Sequence, residues 1–464
     1  MVSVEDLYNK ITSADYKYIE SIVGSSDISS SEEELITHSR DASTIGWHKP
    51  DIVVWPESKV EVAEILKYAS RRRIPVTPWG AGSSLSGNPV PIYGGIVLDM
   101  KKMNEIVGVR ERDFQVVVQP GVNYDRLNKF LSKFGLFFPP DPGSSSICTI
   151  GGMVANNASG MRAVHYGVTR DFVLKLEVVL PSGEVISVGS NAIKSSSGYD
   201  LLGLFVGSEG TLGVFTEVTL KLRPLPRNTA TFVAYFKSTK GAAEAVSEII
   251  TSNLRPAALE FLDRQTILAI NRFKKLNLIE CEAMLLAEFH GDEIASSMTR
   301  AIDICKKHDF LTVWSAEDDK TKERLWEGRK GAYSALVQSN TLPLIGDVAV
   351  PISKFADLVE AVYTLSKQYS LSLACVGHAG DGNLHTMIFG DRNNPEEWAK
   401  AFRLNEEIVF LALSMGGVSS AEHGIGSEKK KFMAKEHGRA LSVMRDIKRL
   451  IDPYNIMNPG KMFE

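Results

Sequence analysis

The sequence predicts an α+β protein that folds as two or three domains. At 464 residues, the chain is longer than a single hydrophobic core usually supports. From Asp51 onwards, short apolar strands alternate with amphipathic helices, and a second strand–helix alternation begins beyond residue 227. The apolar fraction of 44% and the charged fraction of 23% are ordinary for a globular protein and allow a large core.

The first half of the chain combines strands with helices and glycine-rich loops. A helix is expected after Ser58, because Ser58 and Glu61 fit a capping box and the apolar residues that follow recur at helical spacing. A second amphipathic helix is expected at residues 124–134, and residues 1–45 are expected to form a short helical lead-in. Strands are expected at residues 52–55, 74–76, 96–99, 115–121, 174–180, 185–188 and 214–222.

Residues 223–227 predict a domain boundary, because two prolines and a change in charge pattern coincide there. Beyond them, strands are expected at residues 231–236 and 258–261, and helices at residues 242–250 and 293–307. This alternation predicts a second α+β domain that is built on one antiparallel sheet.

Residues 139–167 form the most unusual stretch of the chain. They include glycines at 143, 151, 152, 160 and 167, with apolar residues between them, which predicts an ordered loop without secondary structure of its own. Glycine lets a backbone approach a ligand closely, and its N–H groups suit phosphate oxygens. A large phosphate-bearing ligand and a purely structural loop are equally good interpretations of this segment alone.

Two further loops of small residues lie at 78–87 and 207–213. The first follows a predicted strand, as phosphate-binding loops do. It is not a P-loop, because no Gly-Lys-Ser/Thr sequence follows, and it lacks the helix that opens a dinucleotide fingerprint.

Composition excludes several classes of protein. The net charge of −4, without long runs of one sign, gives no case for a nucleic-acid partner. None of the four cysteines forms a Cys-x-x-Cys pair, which excludes iron–sulfur and structural zinc motifs. The first residues do not resemble a signal peptide, and no apolar run approaches the ~20 residues of a membrane span. We expect a cytoplasmic protein, and peripheral attachment to a membrane stays open.

Polar residues in the last quarter of the chain indicate chemistry. His378 and His385 flank a glycine-rich turn, and Glu422 and His423 lie further on. Two imidazoles and a carboxylate form a three-ligand set with open positions, as in catalytic divalent-metal sites. With nine histidines in the chain, unrelated core or surface histidines are the alternative. His423 is a candidate general base. Arg329 is either a bidentate clamp for a substrate carboxylate or an exposed helix arginine.

Six motifs in one order carry a family resemblance. They lie at residues 78–91, 139–167, 198–213, 378–385, 422–426 and 458–461. Together they resemble the FAD-linked D-2-hydroxyacid dehydrogenase family of the vanillyl-alcohol oxidase superfamily. This family includes D-lactate dehydrogenase of the cytochrome type, the glycolate oxidase flavoprotein subunit and D-2-hydroxyglutarate dehydrogenase. The resemblance covers nearly the whole chain from about residue 45.

The resemblance implies a two-subdomain FAD-binding domain and a C-terminal cap with an antiparallel sheet that carries the substrate site. The implied division is a lead-in at 1–45, the FAD-binding domain at 46–226, the cap at 227–418 and a segment returning to the flavin at 419–464. No histidine lies between residues 78 and 91, so the covalent attachment seen in some members is not expected.

The resemblance also implies which residues line the FAD. In the first loop these are Pro78, Trp79, Gly80, Ala81, Gly82, Ser83, Ser84 and Leu85. In the central stretch they are Pro140, Asp141, Gly143, Ser144, Ile150, Gly151, Gly152, Asn156, Asn157, Gly160, Tyr166 and Gly167. The third loop adds Glu209, Gly210, Gly213 and Val214, and the C-terminal segment adds Asn458 and Lys461.

By the same resemblance, His378, His385 and Glu422 bind zinc or manganese. Asn383 contacts the substrate and Arg329 binds its carboxylate. The implied reaction has the metal polarise the substrate hydroxyl, His423 remove its proton and the flavin accept the hydride, which leaves a 2-oxo acid.

Ile345 departs from the pattern of members that use 2-hydroxyglutarate, which carry a lysine there. An apolar residue would leave a second carboxylate unpaired, so a short monocarboxylate, D-lactate or else glycolate, is favoured. The alternatives are a dehydrogenase for 2-hydroxyglutarate or another larger D-2-hydroxyacid, an electron-relay subunit without its own turnover, and an ether-lipid synthase. Cytochrome c, quinone, an electron-transfer flavoprotein and an iron–sulfur partner stay open as acceptors, and a homodimer stays open as the assembly.

Overall fold

The computed structural model describes residues 7–316, 318–339 and 342–463. The chain forms two compact units. The first contains Met1–Ser159, Val168–Leu225 and Glu422–Glu464, and the second contains Gly160–Gly167 and Pro226–Ala421. The chain therefore enters the second unit twice, once for a short excursion and once for a long one.

The first unit begins with a four-stranded sheet. Its elements are α1 (Ser13–Val23), β1 (Ile28–Ser29), α2 (Glu32–Thr37), β2 (Ile52–Val54), α3 (Lys59–Arg72), β3 (Val76–Trp79) and β4 (Ile96–Asp99). The strand order is β1-β2-β4-β3, with β2 and β3 both parallel to β4. As predicted, α3 follows Ser58, whose side chain accepts a hydrogen bond from the Glu61 N–H, and the apolar side of α3 is buried.

Strand β3 corrects the prediction at the first glycine loop. The predicted strand at 74–76 begins only at Val76 and continues through Pro78 and Trp79, which were expected in the loop. The Val76 N–H points away from β4 and donates to Ile456 O at 2.8 Å. Pro78 is two residues further on, so its missing N–H faces the same outer side and costs no bond to β4.

A five-stranded antiparallel sheet completes this part of the first unit. The elements that follow in the chain are β5 (Ile106–Arg110), β6 (Gln115–Val118), α4 (Tyr124–Leu131), β7 (Leu136–Phe137), α5 (Ile150–Asn156), α6 (Ala163–Tyr166), β8 (Val173–Val179), β9 (Val185–Gly189), α7 (Leu201–Phe205), β10 (Val214–Lys221) and β11 (Arg223–Pro224). The sheet order is β5-β6-β10-β8-β9, and β7 pairs separately with β11. The predicted hairpin of β8 and β9 is confirmed.

The prediction that residues 139–167 lack secondary structure is wrong, because this stretch contains α5 and α6. Helix α5 has a cap at each end: the Thr149 side chain accepts from the Gly152 N–H, and Asn157 ends the helix at a φ of 50°. A Cβ on Gly151 would lie 2.6 Å from Pro120 Cβ. Glycine is thus required for close packing of the first helical turn. Its low helix propensity explains why the sequence did not predict a helix there.

The second unit is built on one seven-stranded antiparallel sheet. Its elements are β12 (Thr229–Phe236), α8 (Thr239–Thr251), β13 (Ala258–Asp263), α9 (Arg264–Lys274), β14 (Ala283–His290), α10 (Ile294–Cys305), β15 (Phe310–Ala316), α11 (Asp319–Lys330), α12 (Ala332–Ser339), β16 (Leu344–Ala349), α13 (Phe355–Tyr369), β17 (Ser372–Gly377), β18 (Asn383–Phe389) and α14 (Pro395–Ser414). The strand order is β15-β12-β14-β13-β17-β18-β16. The predicted antiparallel sheet is confirmed.

Helices cover both faces of this sheet. On one face, α9, α11 and α12 form a core with alternate strand residues such as Leu262, Leu286 and Val376. On the other face, Phe261 packs against Phe355 of α13, with ring centroids 6.3 Å apart. The alternation of side chains along each strand therefore separates two apolar layers.

The chain returns to the first unit through α15 (Lys430–His437) and α16 (Ala440–Ile451). The segment after α16 joins the outer side of β3, where Met457 forms a parallel bridge with Val76. Among the described residues, no helix has both the length and the apolar composition that crossing a bilayer requires.

Candidate active site

The first glycine loop presents unused backbone donors. Within the described part of the chain, the backbone N–H groups of residues 81–86 have no hydrogen-bond acceptor. The loop also packs onto the start of α5, because a Cβ on Gly80 would lie 2.6 Å from Thr149 Oγ1. Consecutive unpaired N–H groups in a loop after a strand suit the oxygens of a pyrophosphate, so this loop fits the phosphate end of a dinucleotide.

The first turn of α5 uses its donors within the protein. The N–H groups of Ile150 and Gly151 donate to Val122 O and Pro120 O, both at 2.8 Å. The next N–H, of Gly152, donates to Thr149 Oγ1 at 3.3 Å. The two glycine-rich segments therefore differ, since the first offers hydrogen-bond donors and the second offers a close backbone surface.

Glu209 joins three segments of the first unit. Its buried carboxylate accepts from Asn88 Nδ2 at 2.6 Å and from the N–H groups of Ile425 and Gly426 at 2.7 Å. Burial raises the pKa of Glu209, and the hydrogen bonds from these N–H groups oppose that rise. The Glu209 side chain thus links Asn88, directly after the first loop, to the segment that follows His423.

Asn458 and Lys461 contact residues 88–90, directly after the first loop. Asn458 Nδ2 donates to Asn88 O at 2.8 Å and to Glu209 O at 2.7 Å, and Lys461 Nζ donates to Val90 O at 2.6 Å. Burial lowers the pKa of Lys461 to about 7, against the opposing charges of Asp41 and Glu209. Asn88 contacts both Glu209 and Asn458, and no sequence pattern selects it.

Glu422 and His423 lie beside α5 in the first unit. Ser159 Oγ donates to Glu422 Oε2 at 2.8 Å, and His423 Nε2 lies 3.8 Å from Glu422 Oε1. Asn156 Nδ2 donates to His423 O at 3.5 Å, which is a long hydrogen bond. The candidate base is therefore positioned by the segment that carries the predicted FAD contacts.

In the second unit, strand register places the remaining polar residues on one face of the sheet. His385 of β18 is opposite both Val376 of β17 and Asp347 of β16. His378 follows β17 two residues after Val376, so it faces the same side as His385. The two imidazole centroids are 5.1 Å apart. The predicted convergence of these histidines at a turn is present.

A buried carboxylate, Glu260, holds His378 and Arg329. The His378 Nδ1 lies 2.9 and 3.0 Å from the two Glu260 oxygens, and Arg329 Nη2 lies 2.6 Å from Glu260 Oε2. Glu260 is fully buried and Arg329 is 8% exposed, so the alternative of an exposed helix arginine is wrong. The Arg329 Nε and Nη2 atoms have no hydrogen bond of suitable geometry among the described residues, so the contact with Glu260 is an ion pair and N–H groups of Arg329 are available to an anion.

A second buried carboxylate, Asp347, lies beside His385. Its Oδ1 lies 3.4 Å from His385 Nδ1 and accepts from Asn383 Nδ2 at 2.9 Å, and its Oδ2 accepts from the Ala421 N–H at 2.9 Å. Asn383 Nδ2 also donates to Val348 O. Both neighbours of that nitrogen are acceptors, so the amide orientation is fixed. Asn383 Oδ1 has no donor within the described chain, so it can accept a hydrogen bond from a ligand.

The predicted site residues divide between the units. The first unit holds those of residues 78–85 and 140–157, together with Glu209, Gly210, Gly213, Val214, Glu422, His423, Asn458 and Lys461. The second unit holds Gly160, Tyr166, Gly167, Arg329, His378, Asn383 and His385. Tyr166 Oη lies 2.7 Å from His290 Nδ1, and His290 Nε2 lies 2.6 Å from Glu288 Oε1.

Sequence reasoning missed Glu260 and Asp347 as site residues, and it also missed Glu288, a buried carboxylate that contacts His290. A signal was present for two of them, because Glu260 and Glu288 interrupt the apolar runs of β13 and β14. A fully buried acidic residue in a strand requires a polar or cationic partner. That argument selects the positions but not their partners. Glu260 contacts His378, directly after β17, and Arg329 of α11, whereas Glu288 contacts His290 of its own strand.

Comparison with known proteins identifies the class. The family model for the C-terminal domain of FAD linked oxidases matches residues 225–462, and the FAD binding domain model matches residues 50–189. The chain belongs to the FAD-linked oxidase family, and its predicted resemblance and fold class are confirmed.

Curated relatives match almost the whole chain. Glycolate oxidase subunit GlcD of Bacillus subtilis is 39% identical over 95% of each chain. The mitochondrial D-lactate dehydrogenase [cytochrome] of Arabidopsis thaliana is 40% identical over 89% of this chain and 73% of its own. The structure of p-cresol methylhydroxylase with substrate bound aligns with a TM-score of 0.80, 17% identity and 98% of each chain covered. This last likeness shows the fold, which is of the vanillyl-alcohol oxidase type.

Proposed function

We propose that this protein uses FAD to oxidise a short D-2-hydroxyacid, with D-lactate favoured over glycolate, to the 2-oxo acid. The observation that carries the proposal is the pair of buried imidazoles on the sheet of the second unit, each beside a carboxylate. A carboxylate at one ring nitrogen is the usual arrangement around metal-binding histidines. The names of the relatives supply the substrate class, D-lactate and glycolate.

The FAD fits the first unit on three observations of its residues. The N–H groups of residues 81–86 would hold the pyrophosphate, and the glycine surface of α5 would lie against the cofactor. Asn458 and Lys461 would stand over the flavin, as the family resemblance implies, and both are bonded to residues 88–90 directly after the first loop. Asn458 Oδ1 lacks a donor among the described residues, so it can accept from a flavin N–H group.

A zinc or manganese ion fits His378 and His385, with Glu422 as the third ligand. Glu260 contacts Nδ1 of His378, so Nε2 would be the nitrogen that ligates. Glu422 directly follows Ala421, whose N–H is bonded to the same Asp347 that neighbours His385. When bound, the ion supplies a Lewis acid at the substrate hydroxyl and FAD supplies the two-electron acceptor.

The side chains of this chain bind and orient the substrate. Arg329 binds the carboxylate through its Nε–H, and Asn383 Oδ1 accepts a hydrogen bond from the ligand. His423 takes the hydroxyl proton while the C2 hydride leaves for the cofactor. The substrate thus gives one proton to His423 and a hydride, which carries two electrons and the second proton, to the FAD. Electrons then pass to a second protein or carrier, in line with the cytochrome and subunit designations of the relatives.

Anaerobic mixing with single hydroxyacids tests this proposal. D-lactate should bleach the bound flavin, and L-lactate should not, because only one face of C2 can direct its hydride to the cofactor. A protein that D-lactate and glycolate both leave yellow would require another substrate.

The base is tested with a matched pair of variants. His423→Ala should keep its FAD and lose flavin reduction by about 10²–10⁴-fold, the usual contribution of a general base. His437→Ala is the control, since His437 also follows a glutamate at a similar distance (3.9 Å) but lies on α15 outside the site. Reduction of the His423→Ala flavin at nearly the normal rate would assign the proton to another group.

A further inference from the structure

Glu260 contacts a proposed metal ligand and the proposed carboxylate-binding arginine with the same carboxylate. Both of its oxygens lie within 3.0 Å of His378 Nδ1, and one of them lies 2.6 Å from Arg329 Nη2. All three side chains are buried, and Glu260 has no exposed surface. Because one negative charge is shared between an imidazole and a guanidinium, a change in the charge or ligand binding of one partner alters how strongly Glu260 interacts with the other.

We propose that Glu260 is a positioning residue that couples cation binding at His378 to anion binding at Arg329. The inference rests on the proposed function for the identity of the two ligands. It assigns Glu260 no contact with substrate or flavin. Its role is to determine how strongly Arg329 attracts a carboxylate, depending on whether the metal is bound.

The sign of the coupling follows from charge. A cation on Nε2 of His378 withdraws electron density from the ring, so the Nδ1–H becomes a stronger donor to Glu260. Glu260 then neutralises Arg329 less, and the guanidinium binds a carboxylate more tightly. Without the metal, Glu260 remains the partner of Arg329 and competes with the substrate. Metal and carboxylate should therefore bind with positive cooperativity, which is reciprocal by linkage.

The variant Glu260→Gln separates this role from a merely structural one. Gln keeps the size of Glu260 but removes its charge, so zinc affinity should fall by about 10–100-fold, as for other outer-shell partners of metal ligands. At the same time Arg329 becomes a buried cation without compensation, so it should bind an anion more tightly even when no metal is present. A loosened site would lose affinity for both ligands, whereas the proposal requires opposite changes.

The experiment uses the FAD-loaded protein and two probes that need no turnover. Zinc affinity is measured by competition with a chromophoric chelator, and propionate affinity by titration of the flavin spectrum, with and without zinc. Propionate carries the carboxylate of the substrate but lacks the 2-hydroxyl that would touch the metal. In the wild type, zinc should tighten propionate by about fivefold or more, at the lower end of typical coupling. In Glu260→Gln, propionate should bind tightly without zinc, and zinc should add little.

Glu288→Gln is the matched control. Glu288 is a buried carboxylate of the neighbouring strand β14 that contacts His290 instead of a proposed ligand. It should leave zinc affinity and the zinc effect on propionate unchanged. The inference is overturned if Glu260→Gln weakens both ligands, if it changes neither, or if the wild type binds no zinc. Failure of the proposed function would appear separately, as a flavin that short D-2-hydroxyacids do not reduce.

Discussion

At the scale of single residues, Ile345 predicts the length of the substrate. Ile345 and Asp347 are two apart on β16, so both face the side of the sheet that carries His378 and His385. An apolar side chain there offers no partner to a second carboxylate, and an unpaired buried charge is costly. The site should therefore favour a monocarboxylate over a dicarboxylate.

Ile345→Lys should shift specificity towards D-2-hydroxyglutarate. A lysine would supply the missing cation, so the ratio of kcat/KM for D-2-hydroxyglutarate over D-lactate should rise by about tenfold or more, as expected for a gained buried ion pair. Steady-state kinetics with both acids measure the ratio, and Ile345→Met, which keeps the volume without a charge, is the control. An equal fall for both acids in the lysine variant would mean that Ile345 does not face the distal end of the substrate.

Lys461 makes stability depend on pH. Burial lowers the pKa of Lys461 to about 7, whereas the unfolded chain keeps a value near 10.5. Between these two pKa values the unfolded state binds one proton more than the folded state. The free energy of unfolding therefore rises with pH above 7. Below pH 7, Lys461 is a buried cation in the folded state, and the full cost of its burial is present. Lys461→Met should lose this part of the rise. Denaturant titrations of the wild type and of Lys461→Met from about pH 7 to 8.5 give the unfolding free energy at each pH, and its rise with pH should be smaller in the variant.

At the scale of secondary structure, α5 shows how glycine can start a helix. Its first turn lies against Pro120 with no room for a side chain at position 151. The capping residues Thr149 and Asn157 fit general rules of helix ends. The glycines shortly after Thr149 have low helix propensity, so propensity alone does not predict the helix. Burial of Ile150, Met153 and Val154 then compensates for the poor propensity.

Gly151→Ala should destabilise the protein, because its Cβ would lie within 3.0 Å of Pro120 Cβ and Pro120 O. Overpacking of this kind typically costs about 1–3 kcal/mol. Gly143→Ala, where a Cβ meets nothing within 4 Å, should change the unfolding free energy by less than about 0.5 kcal/mol. Denaturant midpoints of the two variants give the comparison. Equal midpoints would show that the first turn of α5 can move away from Pro120.

Secondary structure was predictable wherever apolar periodicity was strong. The strands of the hairpin at β8 and β9 and the helix α3 have the expected positions, because alternation and capping are local properties. The start of β3 and the helices α5 and α6 were missed. In β3, Pro78 is tolerated because its missing N–H faces away from β4, and which side faces β4 depends on the register of distant strands. Sequence patterns cannot contain such information about distant partners.

At the scale of the whole molecule, the proposed cofactors belong to different parts of the chain. The groups proposed to hold FAD by hydrogen bonds lie in the first unit, and the two histidines proposed for the metal lie in the second. Each unit has its own buried core, one on the four-stranded sheet and one on the seven-stranded sheet. Loss of the metal should therefore leave FAD binding intact.

Dialysis against a strong chelator should remove activity but not colour. The flavin should remain bound, while its reduction by D-lactate should fall by several orders of magnitude because the hydroxyl is no longer polarised. One sample is used to measure bound flavin by visible absorbance, bound metal by metal analysis, and reduction by anaerobic mixing with D-lactate. Added zinc or manganese should restore reduction. Full reduction of a metal-free sample would exclude the metal from the reaction.

The polar residues of the site were predictable in kind but not in arrangement. His378 and His385 were selected because a tight turn brings nearby residues together, and the register of β17 and β18 does so. Glu260 was missed, because its contact with His378 joins residues that are 118 positions apart. Glu209 likewise accepts hydrogen bonds from Ile425 and Gly426, which lie 216 and 217 positions further along the chain. These contacts depend on tertiary packing alone.

The contacts of Asn458 have a consequence for biosynthesis. They join it to Asn88 across 370 positions and to Glu209 across 249, and Lys461 reaches Val90 across 371. A ribosome must therefore release nearly all of this sequence before the pocket can close. Cofactor loading should be a late event in maturation, and nascent chains that stall before residue 458 should remain colourless however well their earlier strands have formed.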